Sequence, residues 1–192
     1  RNTMVKSSTD PVISQVNLGR TVMHDYYFSP LQQKIKDCVQ NSSIDLPFDL
    51  KEWEEVKLIL KNRAIYHHKE LIPFIDEFYG ETYRLSFLNV LNCLPKARNL
   101  DPAKYKWFGL GDAWMIEFFM PLAKAFPKAK FLVIIRDPRG SISSNRADPT
   151  NPGIAHVLSW VRSWRKLLAY TIHYLNCPEF KGRLLPIVYD HF

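Results

Sequence analysis

The sequence predicts an α/β fold in which a parallel sheet is flanked by helices, and two apolar runs and one junction carry that prediction. Phe131 to Ile135 (Phe-Leu-Val-Ile-Ile) is an unbroken, β-branched apolar run, the pattern of a strand covered on both faces in a parallel sheet. Leu184 to Val188 (Leu-Leu-Pro-Ile-Val) is a second run of the same kind. After the first run, Asp137 reads as an N-cap and Pro138 as the first helical residue, so the strand turns directly into a helix.

The elements before that junction read as helices. In residues 1–30 only Pro11 to Val16 suggests a strand, and Leu31 to Val39 then reads as a helix. Asp45-Leu-Pro-Phe-Asp49 is a turn. Glu52 to His68 carries apolar residues at helical spacing: Trp53, Val56, Ile59 and Leu60. Leu71 to Tyr79 and Thr82 to Leu94 continue as helices, separated near Gly80 and ended by Pro95. No internal repeat or low-complexity tract interrupts this order, and the first hundred residues hold no strong chemical motif.

The chemistry gathers at the junction. A strand ending at Ile135 leaves Arg136 at its carboxyl end, Arg139 in the first helical turn, and Ser141 and Ser144 one turn apart on one helix face. Two guanidinium groups, free N–H groups and hydroxyls would converge there. Such a place suits a phosphate, because Arg offers a bidentate fork and a helix N-terminus adds unsatisfied donors and the positive end of its dipole. The structural alternative for Arg136 and Ser144 is a helix-capping ion pair with Asp137 or a neighbour. Tyr189 follows the second strand and so belongs to the same carboxyl edge, where open α/β folds bind ligands; its alternative role is a ring packed under the sheet edge.

Arg136-Asp-Pro-Arg139 with Ser144 eight residues after Arg136 resembles the 3′-phosphate motif of sulfotransferases that use 3′-phosphoadenosine 5′-phosphosulfate (PAPS), above all their Golgi carbohydrate and bacterial branches. The similarity runs from about residue 105 to 190. Upstream, Trp107 to Lys130 looks like the family's helix and Phe-Pro-x-Ala-Lys approach to that strand; downstream, a helix bearing Trp160 and Trp164 leads to Leu184 to Asp190, similar to a strand ending in Tyr-Glu-Asp. The resemblance implies a three-layer fold like that of P-loop NTPases, here incomplete at both ends. It also implies sulfuryl transfer from PAPS to an acceptor hydroxyl or amine, on a small molecule or a glycan. Arg136 and Ser144 would hold the 3′-phosphate of PAPS or of adenosine 3′,5′-bisphosphate, and Tyr189 would contact the adenine.

The chain also departs from that family. The family's Gly-rich loop for the 5′-phosphosulfate has no counterpart: Lys6-Ser7-Ser8-Thr9 lacks the glycine and the preceding strand, and Asp10-Pro11 interrupts any following helix. The chain is thus expected to be the middle and end of a domain, or a shortened member, and by itself to transfer no sulfate. No catalytic base is assigned. The alternative to an enzyme is a non-catalytic sulfotransferase-like subunit for binding or assembly. A P-loop kinase is the weakest alternative, since no Gly-x-x-x-x-Gly-Lys-Ser/Thr occurs.

With 192 residues, 46% of them hydrophobic and 14% aromatic, one core can form, so a single domain over residues 1–192 is expected, mainly helical in 1–104 and carrying the phosphate motif in 105–192. The net charge of +7 favours an anionic ligand, but no basic run stands out, which argues against a nucleic-acid partner. Cys38, Cys93 and Cys177 lack metal-ligand spacing; they fit one disulfide and a free thiol in a secreted protein, or three buried thiols in a cytoplasmic one. Asn41-Ser42-Ser43 is a glycosylation triplet that would suit the Golgi lumen. No apolar span long enough to cross a bilayer occurs; Golgi relatives carry a membrane anchor ahead of the catalytic domain, and such an anchor would lie outside this chain.

Three other features have plain structural explanations. His67 and His68 point about 100° apart on a helix, so solvated surface is favoured over a ligand pair. Trp160 and Trp164 lie one turn apart, the spacing of a core stripe more often than of a base-stacking platform. Asp112, where many relatives have Lys or Arg, is favoured as a helix cap over an acceptor-orienting group.

Overall fold

A computed structural model describes residues 30–111, 115–146 and 157–189. Lys6 to Thr9, Pro11 to Val16 and Asp112 lie outside the described residues. In chain order the elements are α1 (Pro30–Asn41), α2 (Leu50–His67), a 3₁₀ helix (Lys69–Phe78), α3 (Tyr83–Ala97), a short 3₁₀ turn (Pro102–Lys104) and another (Met115–Phe118) running into α4 (Phe119–Ala125). There follow β1 (Phe131–Ile135), α5 (Pro138–Arg146), α6 (Val157–Leu175), a 3₁₀ turn (Pro178–Phe180) and β2 (Leu184–Val188). The protein is thus mixed helix and strand, mostly helical, with a two-stranded parallel sheet among the described residues. The described residues divide into two compact units: Ser43–Gly111 forms one, and the described residues before and after that segment form the other. No described helix is long and apolar enough to cross a membrane.

In the Ser43–Gly111 unit, α2, the 3₁₀ helix and α3 close over Phe48, Trp53, Ile75, Phe78 and Cys93. Asp49 starts α2 by accepting from the Glu52 N–H at 2.7 Å, and Thr82 starts α3 by accepting from the Leu85 N–H at 3.2 Å. Phe48 joins the layers, its ring stacked 4.7 Å from that of Tyr83 and edge-on to Trp53 at 6.1 Å. The segment expected as an α-helix over Leu71 to Tyr79 is a 3₁₀ helix, because Pro73 inside it has no N–H to give and hinders the α-helical ladder. Conversely, α3 runs two residues past Pro95. A proline in the last turn costs one hydrogen bond, and the end is satisfied another way: Asn99 adopts a left-handed φ of 52°, and the Leu100 N–H returns to the Pro95 carbonyl at 2.9 Å.

The other unit holds the sheet. Strands β1 and β2 pair in parallel with Phe131 opposite Leu184 and Ile135 opposite Val188. Phe131 and Val133 point into a core with Ile116, Phe119, Met120, Tyr170, Tyr174 and Phe180, which joins α4 and α6 to one face of the sheet. The opposite face differs from the expectation of a strand covered on both sides: Leu132, Ile134 and Leu185 are 61%, 63% and 56% exposed. The reason is the pleat, which sends alternate side chains to opposite faces, while the described core lies on one of them. Arg183 ties the approach to β1 to the approach to β2. Its guanidinium donates to the carbonyls of Ala123, Phe126, Ala129 and Glu179 at 2.7–3.2 Å, satisfying acceptors left at the end of α4.

Candidate anion-binding site

Since β1 ends at Ile135 and α5 begins at Pro138, Arg136 and Asp137 are the whole connection between them. Asp137 caps the helix as its sequence position predicts. Its Oδ1 accepts from the Arg139 N–H at 2.8 Å, and its carbonyl accepts from the Ser141 N–H at 3.0 Å. The Arg139 side chain folds back onto the same carboxylate, its Nε standing 3.1 Å from each oxygen and its Nη2 2.5 Å from Oδ2. These side-chain bonds, reinforced by the Arg139 main-chain N–H, hold the Asp137 carboxyl at about 2, below its ordinary 3.8.

That pairing corrects the expected convergence of two guanidinium groups. Asp137 engages Arg139 and the first-turn N–H groups, so the helix N-terminus is occupied by the chain's own carboxylate. Arg136, by contrast, is exposed and makes no ion pair with any described residue. Its guanidinium lies against the first turn of α5, where a methyl group on Gly140 would stand 3.4 Å from Nε and 3.6 Å from Nη2. The other neighbour is Tyr189, just past β2, whose ring centroid is 5.4 Å from the guanidinium carbon. Parallel pairing explains this meeting, because it brings the carboxyl ends of β1 and β2 to one edge. Tyr189 itself is 56% exposed, so it does not pack under the sheet.

Ser144 lies in α5 one turn beyond Ser141, with its side chain outside the described ones. A third element reaches the junction. The Trp164 indole on α6 donates from Nε1 to the Arg136 carbonyl at 2.8 Å. Half-buried, Trp164 is not among the buried core residues of its unit. Sequence reasoning did not find this contact, although an indole N–H in a largely apolar helix is a donor in need of an acceptor.

His68 follows α2 at the surface, with Nδ1 3.6 Å from Glu70 Oε1, and no group of three or more His, Cys, Asp or Glu among the described residues could hold a metal. All three cysteines are free thiols, and burial pushes those of Cys93 and Cys177 up. Asn41 is exposed at the end of α1. The chain matches no family model, no curated protein and no solved structure.

The donor set fits one phosphate rather than a multidentate cradle. An exposed guanidinium, braced by an aromatic ring and seated at the carboxyl edge of a parallel sheet, can offer two parallel N–H bonds to a dianion.

Proposed function

We propose that this chain binds PAPS or adenosine 3′,5′-bisphosphate through Arg136 and belongs to a sulfotransferase that passes a sulfuryl group to a hydroxyl or amine of a small molecule or glycan. The observation that carries this is the exposed Arg136 guanidinium at the end of a parallel strand that turns through Asp137-Pro138 into α5. Resemblance of the sequence around this turn to the 3′-phosphate motif supplies the ligand class. Bound PAPS supplies the activated sulfuryl group; the chain's own residues here bind and orient. Arg136 would fork onto the 3′-phosphate, Ser144 would add a hydroxyl, and Tyr189 would brace the guanidinium on one side while bordering the adenine. Asp137 would keep Arg139 neutralised, so that one cation and not two faces the ligand.

The finer fold belongs to the same proposal: a three-layer, P-loop-like arrangement with helices on both faces of the sheet. The apolar face of Leu132, Ile134 and Leu185 supports it, since a second helical layer would cover that face. The Golgi lumen is the proposed location, with the exposed Asn41 of the Asn-Ser-Ser triplet in its favour; the alternative is the cytoplasm.

Calorimetry with adenosine 3′,5′-bisphosphate tests the claim. Saturable binding is expected, weakened in Arg136→Ala by roughly 1.5–3 kcal/mol, the scale of a charge-assisted hydrogen bond. Affinity unchanged by that substitution would remove Arg136 from the site. Sulfate transfer from radiolabelled PAPS to glycans, phenols or sterols, by this chain together with a segment that supplies the phosphosulfate loop, would favour an enzyme, whereas binding without transfer in that combination would favour the sulfotransferase-like binding subunit.

A further inference from the structure

We infer that Trp164 is a positioning residue for the anion bound by Arg136, a role that rests on the proposed function of that site. A strand that stops at Ile135 leaves the Arg136 carbonyl without a place in the β1–β2 register, which ends at the Ile135–Val188 pair. The indole N–H of Trp164 takes up that carbonyl at 2.8 Å, across 28 residues of sequence. Helix α6, which supplies it, is anchored further along by Tyr170 and Tyr174, both at 0% exposure and packed in one core with Phe131 and Val133 of β1. The main chain at Arg136 is therefore tied to the same core from two directions: through its own strand, and through α6.

The side chain has no such anchor. Arg136 is exposed, its guanidinium resting over Gly140 of α5 and beside the Tyr189 ring, and the rotamers that keep it there depend on the φ and ψ of Arg136 itself. The Trp164 bond restrains the carbonyl and hence that ψ. Loss of the indole N–H should let the peptide plane between Arg136 and Asp137 rotate, spread the guanidinium over more directions and weaken bidentate binding, with no contact between Trp164 and the ligand.

The test compares two ligands on the full chain by calorimetry: adenosine 3′,5′-bisphosphate, which carries the phosphate assigned to Arg136, and adenosine 5′-phosphate, which lacks it. In Trp164→Phe the bisphosphate should bind about three- to tenfold more weakly, the range of one net hydrogen bond, while adenosine 5′-phosphate binding stays unchanged. A purely structural role would weaken both or neither, and either of those results would overturn the inference. If Trp164→Phe does not fold, benzothienylalanine at position 164 keeps both rings and removes only the N–H, and the same selective loss is expected. Arg136→Ala separates the two claims. Loss of bisphosphate selectivity in Arg136→Ala but not at position 164 would sink the positioning role alone, and no loss in Arg136→Ala would sink the site itself.

Discussion

Lys166 on α6 and Glu117 in the turn before α4 form an ion pair with 3% and 4% of their side chains exposed. Two charges withdrawn from water depend on each other, and removal of one takes from the other its ion-pair partner. Lys166→Met should therefore cost about 3–5 kcal/mol, while the double change Glu117→Leu with Lys166→Met should recover most of that loss. Urea unfolding of the unchanged chain and the two variants measures it. Equal destabilisation of the single and double variants would mean that the pair's neighbours, and not the lost ion-pair partner, set the cost.

Gly80 is held against the start of α3 by the Ser86 hydroxyl, which accepts from its N–H at 2.9 Å. A Cβ at this position would lie 2.6 Å from Leu85 Cβ and 2.7 Å from the Ser86 nitrogen, both parts of a capped helix that cannot give way cheaply. Gly80→Ala is expected to cost about 1–3 kcal/mol through overpacking. At Gly109, where an added Cβ meets nothing within 4 Å, the same change should stay within about 0.5 kcal/mol. Thermal melting of both variants gives the comparison, and similar shifts for the two would contradict it.

The bonds from Arg139 to Asp137 tie stability to acid. With the folded carboxyl at about 2 and its ordinary value at 3.8, the folded state holds fewer protons than the unfolded one between those values. The contribution is complete above 3.8 and disappears as the pH falls through 2. The difference in melting midpoint between the unchanged chain and Asp137→Ala should accordingly be level at neutral and mildly acidic pH and narrow below 3.8. A difference that grows in acid would contradict the pairing.

What the sequence determined by itself is the set of features written in near neighbours. Strand β1 and its turn into α5 were legible because β-branched residues from Phe131 to Ile135 leave few conformations open, and because Asp137 and Pro138 each favour a helix start. Helices α1, α2 and α3 were legible from apolar spacing, although Pro73 converted the segment after α2 to a tighter helix and the end of α3 was placed too early. Tertiary structure decided whatever depends on residues far apart in the chain. Arg136 and Arg139 look alike in sequence, yet the helix start folds Arg139 onto Asp137, while parallel pairing brings Tyr189 beside Arg136. Trp164 reads in the sequence as part of a core stripe with Trp160, and nothing there singles out Lys166. Only the packing of α6 against the β1 junction and the turn before α4 sets one on the Arg136 carbonyl and buries the other against Glu117. A hydrogen bond spanning 28 residues and an ion pair spanning 49 leave no local trace, because neither the spacing nor the residue types near Trp164 and Lys166 depend on what those side chains meet.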